Sequence, residues 1–194
     1  MQVIHARRAL LPGAWRSDVE VVVDDTGRIV SVGPQVSAPT QRTGLLLPAP
    51  VNLHSHAFQR AMAGLTEARG PDPRDSFWSW RRLMYRFLDQ LTPDHVEAIA
   101  AQVFLEMLEA GYAGVAEFHY LHHAIGGAPY ADLAELSGRI IAAADRSGIG
   151  LTLLPVHYQF GGCDRRPLHG GQQRFGNDPE RFLRLHDAAA GLID

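Results

Sequence analysis

The sequence predicts an α/β fold with a parallel sheet, and three observations carry that expectation. The first 47 residues hold only β signals. From residue 48 the chain alternates strand, helix, strand, helix, strand, helix, the order of a parallel βα structure. Three parallel strands also fall short of a closed (β/α)8 barrel, which typically takes about 250 residues. The expected architecture is an incomplete (β/α)8 barrel, about its first three βα units, over residues 48–194, preceded by a separate β segment over 1–47.

Each element has a local reason. Val19-Glu20-Val21-Val22-Val23 and Arg28-Ile29-Val30-Ser31-Val32 flank Asp24-Asp25-Thr26-Gly27, so they read as a hairpin that Gly33-Pro34 ends. Such a hairpin is marginal alone and needs more sheet, yet no upstream partner is obvious. Two prolines in 45–53 forbid a central strand of ordinary length. Val51, Asn52 and Leu53 still suit the buried end of a parallel strand that delivers His54-Ser55-His56 to its C-terminal edge. Gly70-Pro71-Asp72-Pro73 marks an irregular loop, after which residues 77–88 resume as helix. Thr92-Pro93 starts a second helix and Gly111 stops it; Val96, Ile99, Ala100, Val103, Phe104 and Met107 form its apolar stripe. A short buried strand over 113–118 follows, then a helix over about 131–147 that stops at Gly148. Residues 149–155 form another buried strand, and Asp178-Pro179 opens a last helix reaching at least Leu185.

Composition bounds the chemistry. With 46% hydrophobic and 20% charged residues, the 194-residue chain can bury a core, and disorder is excluded. A net charge of -3 offers no excess of positive charge for nucleic acid or an acidic membrane, so neither is an expected partner. All 18 basic residues are arginine, which removes Schiff-base, phosphate-loop and metal-bridging lysines from this stretch. Cys163 stands alone, so no internal disulfide or cysteine-rich zinc cluster can form, and a reducing, cytoplasmic setting fits. Neither a signal peptide nor an uninterrupted apolar run of about 18 residues is present.

On a strand, alternate side chains share a side, so His54 and His56 present two imidazoles in one direction with Ser55 turned away. Imidazole is a common zinc ligand, and this pair makes half of a catalytic metal site; the bland reading is that both merely pack or hydrogen-bond at a strand end. His119, His122 and His123 cluster after a strand without a companion carboxylate or cysteine at ligand spacing, so a hydrogen-bonding or loop role is expected. Glu117 lies within an apolar strand and must be paired or protonated there. His157 follows the next strand toward the same rim.

The stretch LLPAPVNLHSHAFQRAMAGL resembles the first barrel strand of the amidohydrolase superfamily. DSFWSWRRLMYRF and AGVAEFHYLHH narrow the resemblance to its formimidoylglutamate deiminase branch, over nearly the whole chain. The resemblance implies that 1–47 belongs to a small β-sandwich domain beside the barrel. It implies His54 and His56 as ligands of one zinc ion, Gln59 as a contact to a formimino group, and Arg81 and Tyr120 as contacts to the carboxylates of a small dicarboxylate substrate. A planar guanidinium suits carboxylate, but a solvated helix face is the alternative for Arg81, and Arg82 competes for the role. The implied reaction is metal-dependent hydrolysis of N-formimino-L-glutamate to N-formyl-L-glutamate and ammonia by an enzyme that is a homodimer at full length. The remaining ligands and the acid/base groups are expected beyond Asp194, so the 194-residue chain alone is expected to be inactive. The rival readings are an aminohydrolase of nucleobases or other amidines, and a partial chain without catalysis.

Overall fold

The computed structural model describes residues 1–68, 70, 74 and 76–193. The chain divides into two compact units, Met1–Ala49 and Pro50–Asp194.

The first unit is a four-stranded sheet in the order β3-β2-β1-β4, made by β1 (Gln2–Leu11), β2 (Ala14–Val23), β3 (Ile29–Pro34) and β4 (Gln41–Leu46). β1–β2 and β2–β3 are antiparallel, and β1–β4 is parallel. The expected hairpin is β2–β3, and Asp24 organises its turn by accepting the N–H groups of Thr26 and Arg28 at 2.8 and 3.0 Å. The partner it lacked in the sequence is β1. That strand buries only alanines fully, Ala6 and Ala9, which pack with Val19 and Val21, so its sequence carries little β signal. Gly33-Pro34 does not end β3 but lies within it; Pro34 closes an edge strand, where its missing N–H breaks no ladder bond.

The second unit holds a three-stranded sheet in the order β5-β6-β7, all parallel: β5 (Val51–Ser55), β6 (Gly114–His119) and β7 (Gly150–Pro155). Its helices are α1 (Phe77–Leu88), α2 (Pro93–Glu109), α3 (Glu135–Ser147) and α4 (Pro179–Ala190), with short 3₁₀ turns over Ala57–Met62 and Gly170–Arg174. Thr92 accepts the N–H of His95 at 3.3 Å and Asp178 that of Arg181 at 2.8 Å, so both helices start at their side-chain caps. Gly148 closes α3 at φ 80°, a left-handed position where a Cβ is costly. Val96, Ala100 and Phe104 of α2 and Leu136, Ile140 and Ala144 of α3 pack with Val115 into the main core.

Three expectations need correction. β5 is an edge strand, with Val51 51% and Leu53 74% exposed, because it pairs only with β6. β7 is only partly buried for the same reason. α3 starts at Glu135 rather than near 131, since Asp132 turns its side chain back to accept the N–H of Ala134 and holds the approach as a turn. Gly70 lies in no regular element, and the rest of the expected loop, residues 71–73, falls outside the described residues. Among the described residues no helix is long and apolar enough to cross a membrane.

Candidate active site

The pleat of β5 sends Ser55 to one side, where it is buried and registered against Glu117, and His54 and His56 to the other. Their Nε2 atoms converge to 3.0 Å. Phe118 of β6 fixes both rings. His54 stacks on its side chain at 4.4 Å between centroids, and Nδ1 of His56 lies 3.0 Å from its carbonyl oxygen. A carbonyl only accepts, so His56 Nδ1 carries the proton and Nε2 presents a lone pair. Partial burial, opposed by that carbonyl and assisted by His54, holds the pKa of His56 below its ordinary value and keeps the ring neutral.

This arrangement fits a metal ion. Two Zn–N bonds of about 2.0–2.1 Å at the tetrahedral angle place their nitrogens about 3.3 Å apart. The pair lies close to that separation, and a carbonyl behind Nδ1 is the usual support of a ligating imidazole. Among the described residues no group of three or more His, Cys, Asp or Glu side chains is placed to hold a metal, so this chain offers two ligands.

His56 opens onto a cavity of about 380 Å³ that Gln59, Arg81, Tyr85, Tyr120 and Tyr158 also line. The resemblance pointed to four of these residues, and β5, α1 and the loop after β6 bring them together. The Gln59 amide is only weakly engaged, at 3.9 Å from Met84 Sδ. Tyr120 lies 5.0 Å from the His56 ring. Arg81 is half-buried on this wall, whereas Arg82 is exposed and outside it, although both border a second hollow with Cys163 and Arg166. Tyr85 and Tyr158 were not singled out from the sequence; the four-residue spacing of Arg81 and Tyr85 on a helix was the available signal.

The other titratable groups after β6 are closed in. His122 Nε2 meets Val156 O at 3.0 Å, and His123 Nε2 meets Gly176 O at 2.9 Å and Asn177 Oδ1 at 3.0 Å. Burial drives His119 well below the ordinary histidine range, His122 to about 4, and His123 downward. Exposed His157 rests on Asn177 O at 3.1 Å. Glu117, 1% exposed, accepts the Ala57 N–H at 2.6 Å and bonds Ser55, and burial still pushes its carboxyl up to about 7. Fully buried Arg174, not anticipated from the sequence, donates to the carbonyls of Leu88, Leu91 and His123, tying the end of α1 to the loop after β6.

Known proteins share this arrangement of elements. The chain superposes on a solved amidohydrolase from Brucella melitensis with a TM-score of 0.91 and 48% identity, covering 100% of this chain and 43% of that one. It superposes on the zinc complex of atrazine chlorohydrolase from Arthrobacter aurescens with a TM-score of 0.72 and 21% identity, covering 100% and 43%, a likeness of fold alone. The chain thus has an α/β fold of the amidohydrolase kind. Residues 1–41 match the family described as the N-terminal domain of formimidoylglutamate deiminase HutF. Over 187 residues the chain is 51% identical to formimidoylglutamate deiminase of Pseudomonas aeruginosa, covering 95% of this chain and 41% of that protein. Within the superfamily, its sequence is that of the formimidoylglutamate deiminases over the stretch it spans. The chain spans less than half the length of these relatives.

Proposed function

We propose that the complete protein hydrolyses N-formimino-L-glutamate to N-formyl-L-glutamate and ammonia, and that this chain supplies half of its metal site and one wall of its substrate cavity. The observation that carries the reading is the juxtaposition of a convergent histidine pair with a cavity whose one formal charge is the Arg81 guanidinium, in a chain 51% identical to a deiminase of that name. The same reading makes residues 48–194 the first part of a (β/α)8 barrel and 1–47 a portion of a small β-sandwich domain. It also makes the complete enzyme a cytoplasmic homodimer.

His54 and His56 would hold a zinc ion through Nε2, with His56 locked in the required tautomer by Phe118 O. A zinc ion bound there supplies Lewis acidity and lowers the pKa of a bound water toward neutrality. The chain's own residues then orient the substrate. Gln59 offers its amide to the formimino group, and Arg81 with Tyr120 receives the carboxylates at the opposite wall. Met84, Phe175 and Trp80 exclude water from the space between. Water adds to the formimino carbon, the C–N bond to the terminal nitrogen breaks, and ammonia leaves with the proton it gains.

The test is ammonia release by the full-length protein from N-formimino-L-glutamate, compared with guanine. Preference for guanine would overturn the substrate assignment. Arg81→Met should lower kcat/KM about ten- to a hundredfold by removing a charge-assisted hydrogen bond, without changing zinc content, while exposed Arg82→Met changes neither.

A further inference from the structure

We infer that Tyr85 and Tyr158 complete the carboxylate-binding wall, each accepting hydrogen bonds from behind and donating its own O–H to the substrate. The inference rests on the proposed function and deepens it.

Tyr85 lies one helical turn beyond Arg81, and its hydroxyl oxygen accepts from Arg81 Nε at 3.0 Å and Nη2 at 2.8 Å. Arg81 Nη2 also reaches Tyr158 Oη at 3.3 Å. Behind them, Gln172 donates from Nε2 to Tyr158 Oη at 3.4 Å and to Gly161 O at 3.3 Å, and its side chain also bonds Tyr85. Every one of these bonds uses a tyrosine oxygen as acceptor. Among the described residues neither hydroxyl proton has an acceptor, and neither does Arg81 Nη1. A phenol is donor and acceptor at once, so a hydroxyl whose lone pairs are engaged has one bond left to give.

Those unused donors lie on one wall of the cavity that His56 enters, and no carboxylate lines that cavity. A guanidinium and two phenols without a counter-charge form a cationic donor set, the chemistry that recognises a carboxylate. Burial also raises the pKa of Tyr85, so its proton stays in place to be donated. The wall is preorganised. A Cβ on Gly171 would meet the Tyr85 ring at 2.6 Å, so the ring is seated on bare backbone, and the guanidinium is held over the Trp78 and Tyr85 rings at 5.7 and 5.4 Å.

The test uses the full-length zinc-loaded protein, with phenylalanine replacements to keep the ring packing. Substrates are N-formimino-L-glutamate and its two monoamides, the formimino derivatives of glutamine and isoglutamine. Tyr85→Phe and Tyr158→Phe should each raise KM for the dicarboxylate about tenfold or more with kcat unchanged. They should leave unaltered the monoamide that lacks the contacted carboxylate. Calorimetric binding of N-formyl-L-glutamate should weaken by the same factor. Equal losses on all three substrates, or none, overturn the inference, the former because it marks a general structural role. Loss in Arg81→Met beside unaffected tyrosine variants overturns the inference alone. A wild-type protein that turns over none of the three and fails to bind the product overturns the proposed function and the inference with it.

Discussion

His54 and His56 end an exposed edge strand with their Nε2 atoms turned toward each other beside a cavity, while His122 and His123, beyond the next strand, commit Nε2 to backbone carbonyls under full burial. The residue type is the same and the strands are neighbours. What differs is which ring nitrogen the backbone takes. In His56 the carbonyl of Phe118 takes Nδ1 and leaves Nε2 to the cavity; in the buried pair the carbonyls take Nε2, and Nδ1 faces the interior without a partner. A histidine becomes a ligand or a strut through the second bond it makes, as the tautomer rule for imidazole requires.

The comparison breaks first at Arg174, whose guanidinium holds the loop carrying the buried histidines. Arg174→Met strands the carbonyls of Leu88, Leu91 and His123 and should cost roughly 3 kcal/mol or more in a denaturant titration. Unchanged stability would mean that water satisfies those carbonyls and that the loop is not held from within.

On the other side, His54→Ala should leave the unfolding free energy within about 0.5 kcal/mol, since the side chain is exposed. Zinc affinity of the full-length protein, read by chelator competition, should fall by more than the roughly 10–100-fold typical of losing an outer-shell partner. Retained zinc would remove the distinction between the two groups.

Acid sharpens the contrast. His122 is depressed to about 4 from 6.5, so the unfolded chain binds more protons in that window; the histidine contribution is complete above pH 6.5 and is lost as pH falls toward 4. Glu117, raised to about 7 from 4.5, acts in the opposite sense, because the folded state binds its proton first and stability is lost as pH rises through that range. Glu117→Gln should therefore steepen the acid loss of stability between pH 6.5 and 4, and His122→Phe should flatten it, both measured by denaturant unfolding at stepped pH. A Glu117→Gln profile flatter than wild type would reverse the assignment.

The smallest effect is expected at His157, exposed but bonded to Asn177 O. His157→Ala should cost about 0.5–1.5 kcal/mol and leave zinc untouched. Zinc loss there would make it an unrecognised member of the first group.

Much of this was legible in the residues themselves. The capping pairs Thr92-Pro93 and Asp178-Pro179 start α2 and α4 where local hydrogen bonding demands, and the glycine at 148 ends α3. The convergence of His54 and His56 follows from the period of a strand alone. Elements whose reason lies in a distant partner were harder. β1 carries alanines at its fully buried positions and is a strand because β2 and β4 flank it. β5 looked buried because its residues are apolar, and only the strand order makes it an edge. In the cavity wall, Arg81 was legible as a charge, but its separation from Arg82 depended on which turn of α1 faces Tyr158.

By itself, then, the sequence determined the alternation of strand and helix, the helix ends, and the pairing of two imidazoles on one strand, since each depends on neighbours within a few residues and on the fixed periods of backbone structure. Tertiary structure decided which nitrogens stay available, which arginine reaches the cavity, and that Tyr85, Tyr158 and Gln172 stand behind it. Those outcomes are set by hydrogen bonds such as that of Arg81 to Tyr158, whose partners lie 77 residues apart, and no local pattern encodes a carbonyl that only folding brings within reach.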